Sequence, residues 1–104
     1  MAMTPEKKVK QKVVAILKEL GAYYFYPFTG GYGNSGVPDI IVCYRGRFLG
    51  IECKAGKGKT TALQDKNLAQ IESCGGLALV INENNVSDLK SLIEHHVIGT
   101  FQEG

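Results

Sequence analysis

The strongest constraint on this chain is a pair of hydrophobic runs joined by only two residues, Arg45-Gly46, with Pro38-Asp39 opening the first run and Glu52-Cys53-Lys54 closing the second. Runs joined so tightly form a hairpin, and a two-residue loop sets every cross-strand pair. Tyr44 then faces Arg47, and Asp39 falls opposite Glu52 with Cβ atoms about 4.5–5.5 Å apart. Side chains alternate along a strand, so Glu52 and Lys54 share one face while Ile51 and Cys53 share the other. Two carboxylates and one ammonium converge at the open end of the hairpin. Opposed like charges destabilise a sheet unless something offsets them. A divalent cation with oxygen ligands does so; the plainer alternative is a pair of solvated carboxylates with Lys54 as an ordinary salt-bridge partner.

The 104 residues make one domain, core and site built on a single fold. With 44% hydrophobic and 21% charged residues, the composition is that of an ordinary globular protein, and disorder is expected only at the ends. A net charge of +2 does not announce a nucleic-acid protein, so the placement of charge matters more than its sum. Lys7, Lys8, Lys10 and Lys12 cluster near the start, which a solvated helix face explains as readily as a nucleic-acid surface. Cys43, Cys53 and Cys74 lack metal-binding spacing and read as reduced, mostly buried thiols of a cytosolic protein. No apolar run has the length of a signal peptide or membrane span, so a soluble, intracellular protein is expected. The adjacent His95 and His96 point in different directions on a helix, which speaks against a shared metal.

Thr4 caps a helix with Pro5 at its first position, and Val9, Val13, Ile16, Leu17 and Leu20 repeat at helical spacing until Gly21. Glu6 precedes Val9 by three residues and falls on the inward-looking side, where it serves either the helix terminus or the acidic site. Ala22 to Phe28 reads as an aromatic strand, with Tyr23, Tyr24 and Tyr26 expected in the core rather than stacking on bases. A glycine-rich stretch from Thr29 to Gly36 leads to the hairpin, whose returning strand spans Phe48 to Ala55. Thr60 or Thr61 caps a helix to about Cys74 with Leu63, Leu68 and Ile71 inward; Leu77 to Ile81 is a short buried strand; Ser87 caps a last helix with Leu89, Leu92 and Ile93 inward. The core then covers about 5–96, and the tail 97–104 has no clear pattern.

Two motifs mislead. Gly31-Tyr32-Gly33-Asn34-Ser35-Gly36 matches the dinucleotide fingerprint, but that fingerprint needs a helix to open at its last glycine, and here Pro38 leads into a β-branched run. Gly58-Lys59-Thr60 resembles the end of a phosphate-binding loop, whose first glycine would have to stand at Cys53.

The order helix, three strands, helix, strand, helix, with Asp39 opening the second strand and Glu52-x-Lys54 closing the third, resembles the PD-(D/E)xK nuclease superfamily. The lead into Gly36-Val37-Pro38-Asp39, the compact hairpin, Glu52-Cys53-Lys54-Ala55 and Gln64 on the next helix look most like a VRR-NUC domain, whose small free-standing members are typical of phages and bacteria. Archaeal-type Holliday junction resolvases share nearly the same skeleton. The resemblance implies an α/β, restriction-endonuclease-like αβββαβ core with a mixed central sheet flanked by helices, forming a single nuclease domain over 1–104. It implies that Asp39 and Glu52 bind Mg²⁺ or Mn²⁺ with help from the backbone carbonyl of Cys53. Lys54 would orient or help deprotonate the attacking water, Glu6 would hold a second metal or metal-bound water, and Gln64 would position groups at the rim. The products implied are a 5′ phosphate and a 3′ hydroxyl.

Gly33, Ser35, Lys57 and Lys59 flank this site and are candidate phosphate contacts, with ordinary turn chemistry as the alternative. Small size and the need for paired cuts lead to the expectation of a homodimeric, structure-selective endonuclease on branched DNA such as four-way junctions, with Val97, Ile98 and Phe101 as candidate contacts between copies. The rival readings are a restriction-type or exonucleolytic nuclease on linear duplex, and a DNA-binding module of the same fold that does not cut.

Overall fold

The structure, a computed structural model, describes residues 3–28 and 36–102, the last five of these as backbone. Helix α1 runs Pro5–Leu20, followed by β1 (Tyr23–Phe25), β2 (Ile40–Tyr44), β3 (Arg47–Cys53), α2 (Ala62–Ser73), β4 (Leu77–Ile81) and α3 (Leu89–Gln102), the last entered through a 3₁₀ turn at Val86–Asp88. The four strands lie in the order β1-β2-β3-β4. β2 runs antiparallel to both of its neighbours, β1 and β3, and β4 joins β3 in parallel through the α2 crossover. This is an α/β fold with a mixed sheet between helices, the restriction-endonuclease-like arrangement expected from the sequence.

Local chemistry accounts for the elements. Thr4 Oγ1 accepts from the Lys7 N–H, Pro5 stands in the first turn, and Gly21 ends α1 in the left-handed region at φ 74°. Arg45 and Gly46 both have positive φ, 51° and 80°, the conformation of a two-residue hairpin turn whose twist matches its strands. The pairs Tyr44 with Arg47 through Ile40 with Ile51 follow, so the hairpin register is the expected one.

β3 is the central strand, and its two faces meet different partners. Leu49, Ile51 and Cys53 are fully buried against Val9, Val13 and Leu17 of α1 and Leu89 and Ile93 of α3, with Ile40 and Val42 alongside from β2. The opposite face carries Gly50 and Glu52, and α2 lies on it. A Cβ on Gly50 would come 2.7 Å from Ile71 Cδ1 and 2.9 Å from Pro38 Cγ, so the helix rests on a strand made thin at that point.

Several sequence expectations fail, those for Tyr23 and Leu63 because α2 covers only part of its face of the sheet. β1 is three residues long rather than seven. Tyr23 (68% exposed), on the edge strand β1, stands in solvent, and Tyr26, Cys43 and Cys74 are exposed as well. Leu63 (44% exposed) looks outward, and α2 has no fully buried residue. Leu92 is likewise exposed, and β4, as an edge strand, buries only Ile81. β3 ends at Cys53, although the Lys54 N–H still donates to the Ile81 carbonyl at 2.9 Å. Ser87 lies inside the 3₁₀ turn and caps nothing. The last helix does not stop at His96 but runs to Gln102, and Val97 is buried, which removes it from the residues a second copy could meet. The side chains of Ile98 and Phe101 lie outside the described residues. Among the described residues no helix is long and apolar enough to cross a membrane.

Gly36 ties this architecture to the acidic end of the hairpin. It has φ 68°, and an added Cβ would fall 2.6 Å from the backbone C and O of Leu63 in the first turn of α2. Gly36→Ala is expected to lower stability by about 2–4 kcal/mol, combining backbone strain with overpacking, as measured by denaturant unfolding. Unchanged stability would mean that the approach to α2 is looser than the geometry requires.

Candidate active site

Asp39 stands one step beyond the last hairpin pair, which carries the register on to Glu52. Its Oδ2 accepts the Cys53 N–H at 2.8 Å, a bond that fixes the carboxylate across the end of β3. Glu52 is 2% exposed, the one buried charged residue among the described residues. Its Oε1 accepts from Gln64 Nε2 at 3.2 Å, whereas Oε2 is buried with no donor. Gln64 is held in turn by a capping box: its Oε1 accepts the Thr61 N–H at 2.9 Å, and its own N–H donates to Thr61 Oγ1 at 3.2 Å. One side chain thus starts α2 and orients Glu52.

The electrostatics follow from this packing. Burial pushes the Glu52 carboxyl up to about 8, and Asp39 adds to the rise both as a hydrogen-bond partner and as a like charge, while Lys54 pulls the other way. Two carboxylates only accept, so that hydrogen bond exists only when one of them carries a proton; ionised, Glu52 Oε2 is left without a partner. A buried acceptor in that state costs about 1–3 kcal/mol or more. Burial, with the charge of Asp39 in second place, pushes the Cys53 thiol up to about 12, so this sulfur is neither a nucleophile nor a metal ligand at neutral pH. Its side chain belongs to the core, and its backbone belongs to the site.

The remaining expected residues divide. Glu6 is exposed rather than turned inward. It nevertheless lines a cleft of about 490 Å³ together with Lys54, Gly56, Gly58 and Lys59, and its charge is felt at Glu52. Lys57 is exposed on the turn beside that cleft. Gly33 and Ser35 lie outside the described residues. Sequence reasoning missed Glu83, whose Oε1 accepts the Gly56 N–H at 2.8 Å and pins the lysine-bearing loop to the end of β4. Its position in a turn rich in asparagine gave no signal. The capping box was visible as Thr61-Ala62-Leu63-Gln64.

Among the described residues no three carboxylate, imidazole or thiol side chains are gathered into a cation site of their own. The arrangement offers two carboxylates, a backbone carbonyl and an open cleft. That set suits Mg²⁺, which commonly binds through one or two carboxylates and takes its other ligands from water and substrate phosphate.

Sheet order, crossover and acidic strand ends define a fold of the restriction-endonuclease class. More particularly, it is the fold of VRR_NUC domains. One solved structure described as "VRR_NUC domain" superposes with a TM-score of 0.71 at 23% identity, covering 89% of this chain and 98% of the other. A second, described as "VRR_NUC domain protein", gives 0.65 at 18% identity over 92% of this chain and 90% of the other. No family model and no curated protein matches the sequence.

Proposed function

We propose that this chain is a VRR-NUC nuclease, a divalent-cation-dependent, structure-selective DNA endonuclease that acts as a homodimer on branched DNA in the cytoplasm. The observation that carries the reading is Glu52 Oε2, a buried acceptor with no donor, beside a second carboxylate and within the electrostatic reach of Lys54 and Glu6, which line the neighbouring cleft. Hard oxygen donors left unsatisfied in this way fit Mg²⁺ or Mn²⁺ better than a solvated salt bridge, which would leave both carboxylates in water.

Asp39, Glu52 and the Cys53 carbonyl would hold the cation, with Glu6 across the cleft. When bound, the cation polarises the phosphodiester and favours a hydroxide nucleophile. The Cys53 N–H occupies Asp39 Oδ2 and leaves Oδ1 for the site. Gln64 holds Glu52 through Oε1 and leaves Oε2 for the cation. Lys54, on the strand face shared with Glu52, brings its ammonium to the phosphate, where it neutralises developing charge and orients the attacking water.

The preference for branched DNA and the dimer rest on size: a lone domain of 104 residues grips little duplex, and symmetric paired cuts call for two active sites. The test is cleavage of a labelled four-way junction, a flap and a blunt duplex with Mg²⁺ and with EDTA. Paired nicks in the junction, faster than cutting of duplex and absent in EDTA, are expected. Equal or faster cutting of plain duplex would remove the junction preference, and no cutting with either Mg²⁺ or Mn²⁺ would leave a binding module.

A further inference from the structure

A second concavity, of about 680 Å³, runs along α1 and has no part in the chemistry above. Lys7, Lys10, Gln11, Val14 and Lys18 line it from the helix, and Tyr26 from the segment after β1. Positions 7, 11, 14 and 18 follow the helical repeat, so they form one flank of α1, clear of the buried Val9, Val13 and Leu17. Lys10 Nζ sits 4.5 Å from the centroid of the Tyr26 ring, which holds that half-exposed ring beside the helix. Among the described residues no acidic side chain lines the groove, and the single ion pair, Lys90 with Glu19, lies elsewhere. The lysine charge in the groove has no acidic partner among the described residues.

The position of the groove indicates its occupant. Met3 and Lys7 line the groove, and Thr4, Pro5 and Glu6 between them line the candidate active-site cleft, so the two concavities share the first turn of α1. From Lys7 to Lys18 the helix spans about 16 Å, the length of several phosphates along one strand. We infer that this flank of α1 is a phosphate-backbone track that holds the continuing DNA strand beyond the cleavage position. The inference rests on the nuclease reading. An acidic peptide would match the charge but not the continuity with the cleft.

Two variants that remove equal charge from one helix separate this track from a general effect of net charge. Lys7→Ala with Lys18→Ala empties the groove flank and spares the contact of Lys10 with Tyr26. Lys8→Ala with Lys12→Ala removes two exposed lysines that do not line the groove. Both are placed in an Asp39→Asn background, and junction binding in EDTA is followed by fluorescence anisotropy from low to moderate salt. The slope of log K against log salt is expected to fall by about 2 for the groove pair and to stay near the parent value for the other pair. Equal slopes for the two variants, or a polyglutamate probe binding as tightly as DNA of the same charge, would overturn the track while leaving cleavage by the wild type intact. Failure of the wild type both to bind and to cut DNA would remove the nuclease reading and the track together.

Discussion

Glu52→Gln is expected to raise the melting temperature of the cation-free protein at alkaline pH while abolishing cleavage. In the folded chain Glu52 holds its proton to about 8, against an ordinary value of 4.5. The folded state thus binds protons that the unfolded state has released, so this stabilisation is complete below 4.5 and is lost as the pH rises through 8. Each unit of such a shift corresponds to roughly 1.4 kcal/mol, and the whole to a few kcal/mol. Glutamine does not titrate, keeps the shape, accepts from Gln64 and can donate toward Asp39 in place of the missing proton. At pH 9 in EDTA the variant should melt on the order of 10 °C above the wild type, and the two should converge toward pH 5. Added Mg²⁺ should raise the wild type more than the variant. Parallel melting curves across the pH range would show that Glu52 ionises without cost.

The second large effect is loss of cleavage in Asp39→Asn and Lys54→Ala proteins that stay folded. Asparagine can still accept the Cys53 N–H through its carbonyl oxygen, so the end of the hairpin should hold while the charge that would hold a cation is gone. Lys54 is half-buried at the cleft, and removing its ammonium deprives the phosphate of a fixed positive partner. Rates should fall by about 10²–10⁴ for either change, with thermal unfolding within a few degrees of the parent. Wild-type rates in both variants would return the pair to the status of a structural ion cluster.

The hairpin and its acidic end were legible because a two-residue turn leaves the register no freedom, and Asp39 and Glu52 follow from counting outward from Arg45-Gly46. Coverage of the sheet was not legible in the same way. Tyr23 and Leu63 have the side chains of core residues, yet their burial depends on how far α2 extends across its face, and that is set by close contacts at Gly36 and Gly50 rather than by any periodic pattern. The last helix is a different case. Leu89, Ile93 and Val97 repeat every four residues, and this signal extends past His96 into the segment read as an unpatterned tail. The bond from Gln64 to Glu52 lay between these extremes. Its capping role could be read from Thr61, whereas its contact with a buried carboxylate required the crossover to be in place.

That crossover carries a consequence for the order in which the chain acquires its properties. Asp39 and Glu52 meet through a local turn, which closes in microseconds, whereas Gln64 and Lys54 take their places only after β4 has returned through α2 to pair in parallel with β3. A chain emerging from the ribosome has its first carboxylate pair early and lacks the aligned partner strand until residue 81 is free to dock. The non-local pairing thereby works as an assembly checkpoint, and half-made or partly unfolded chains are expected to be harmless to nucleic acid around them.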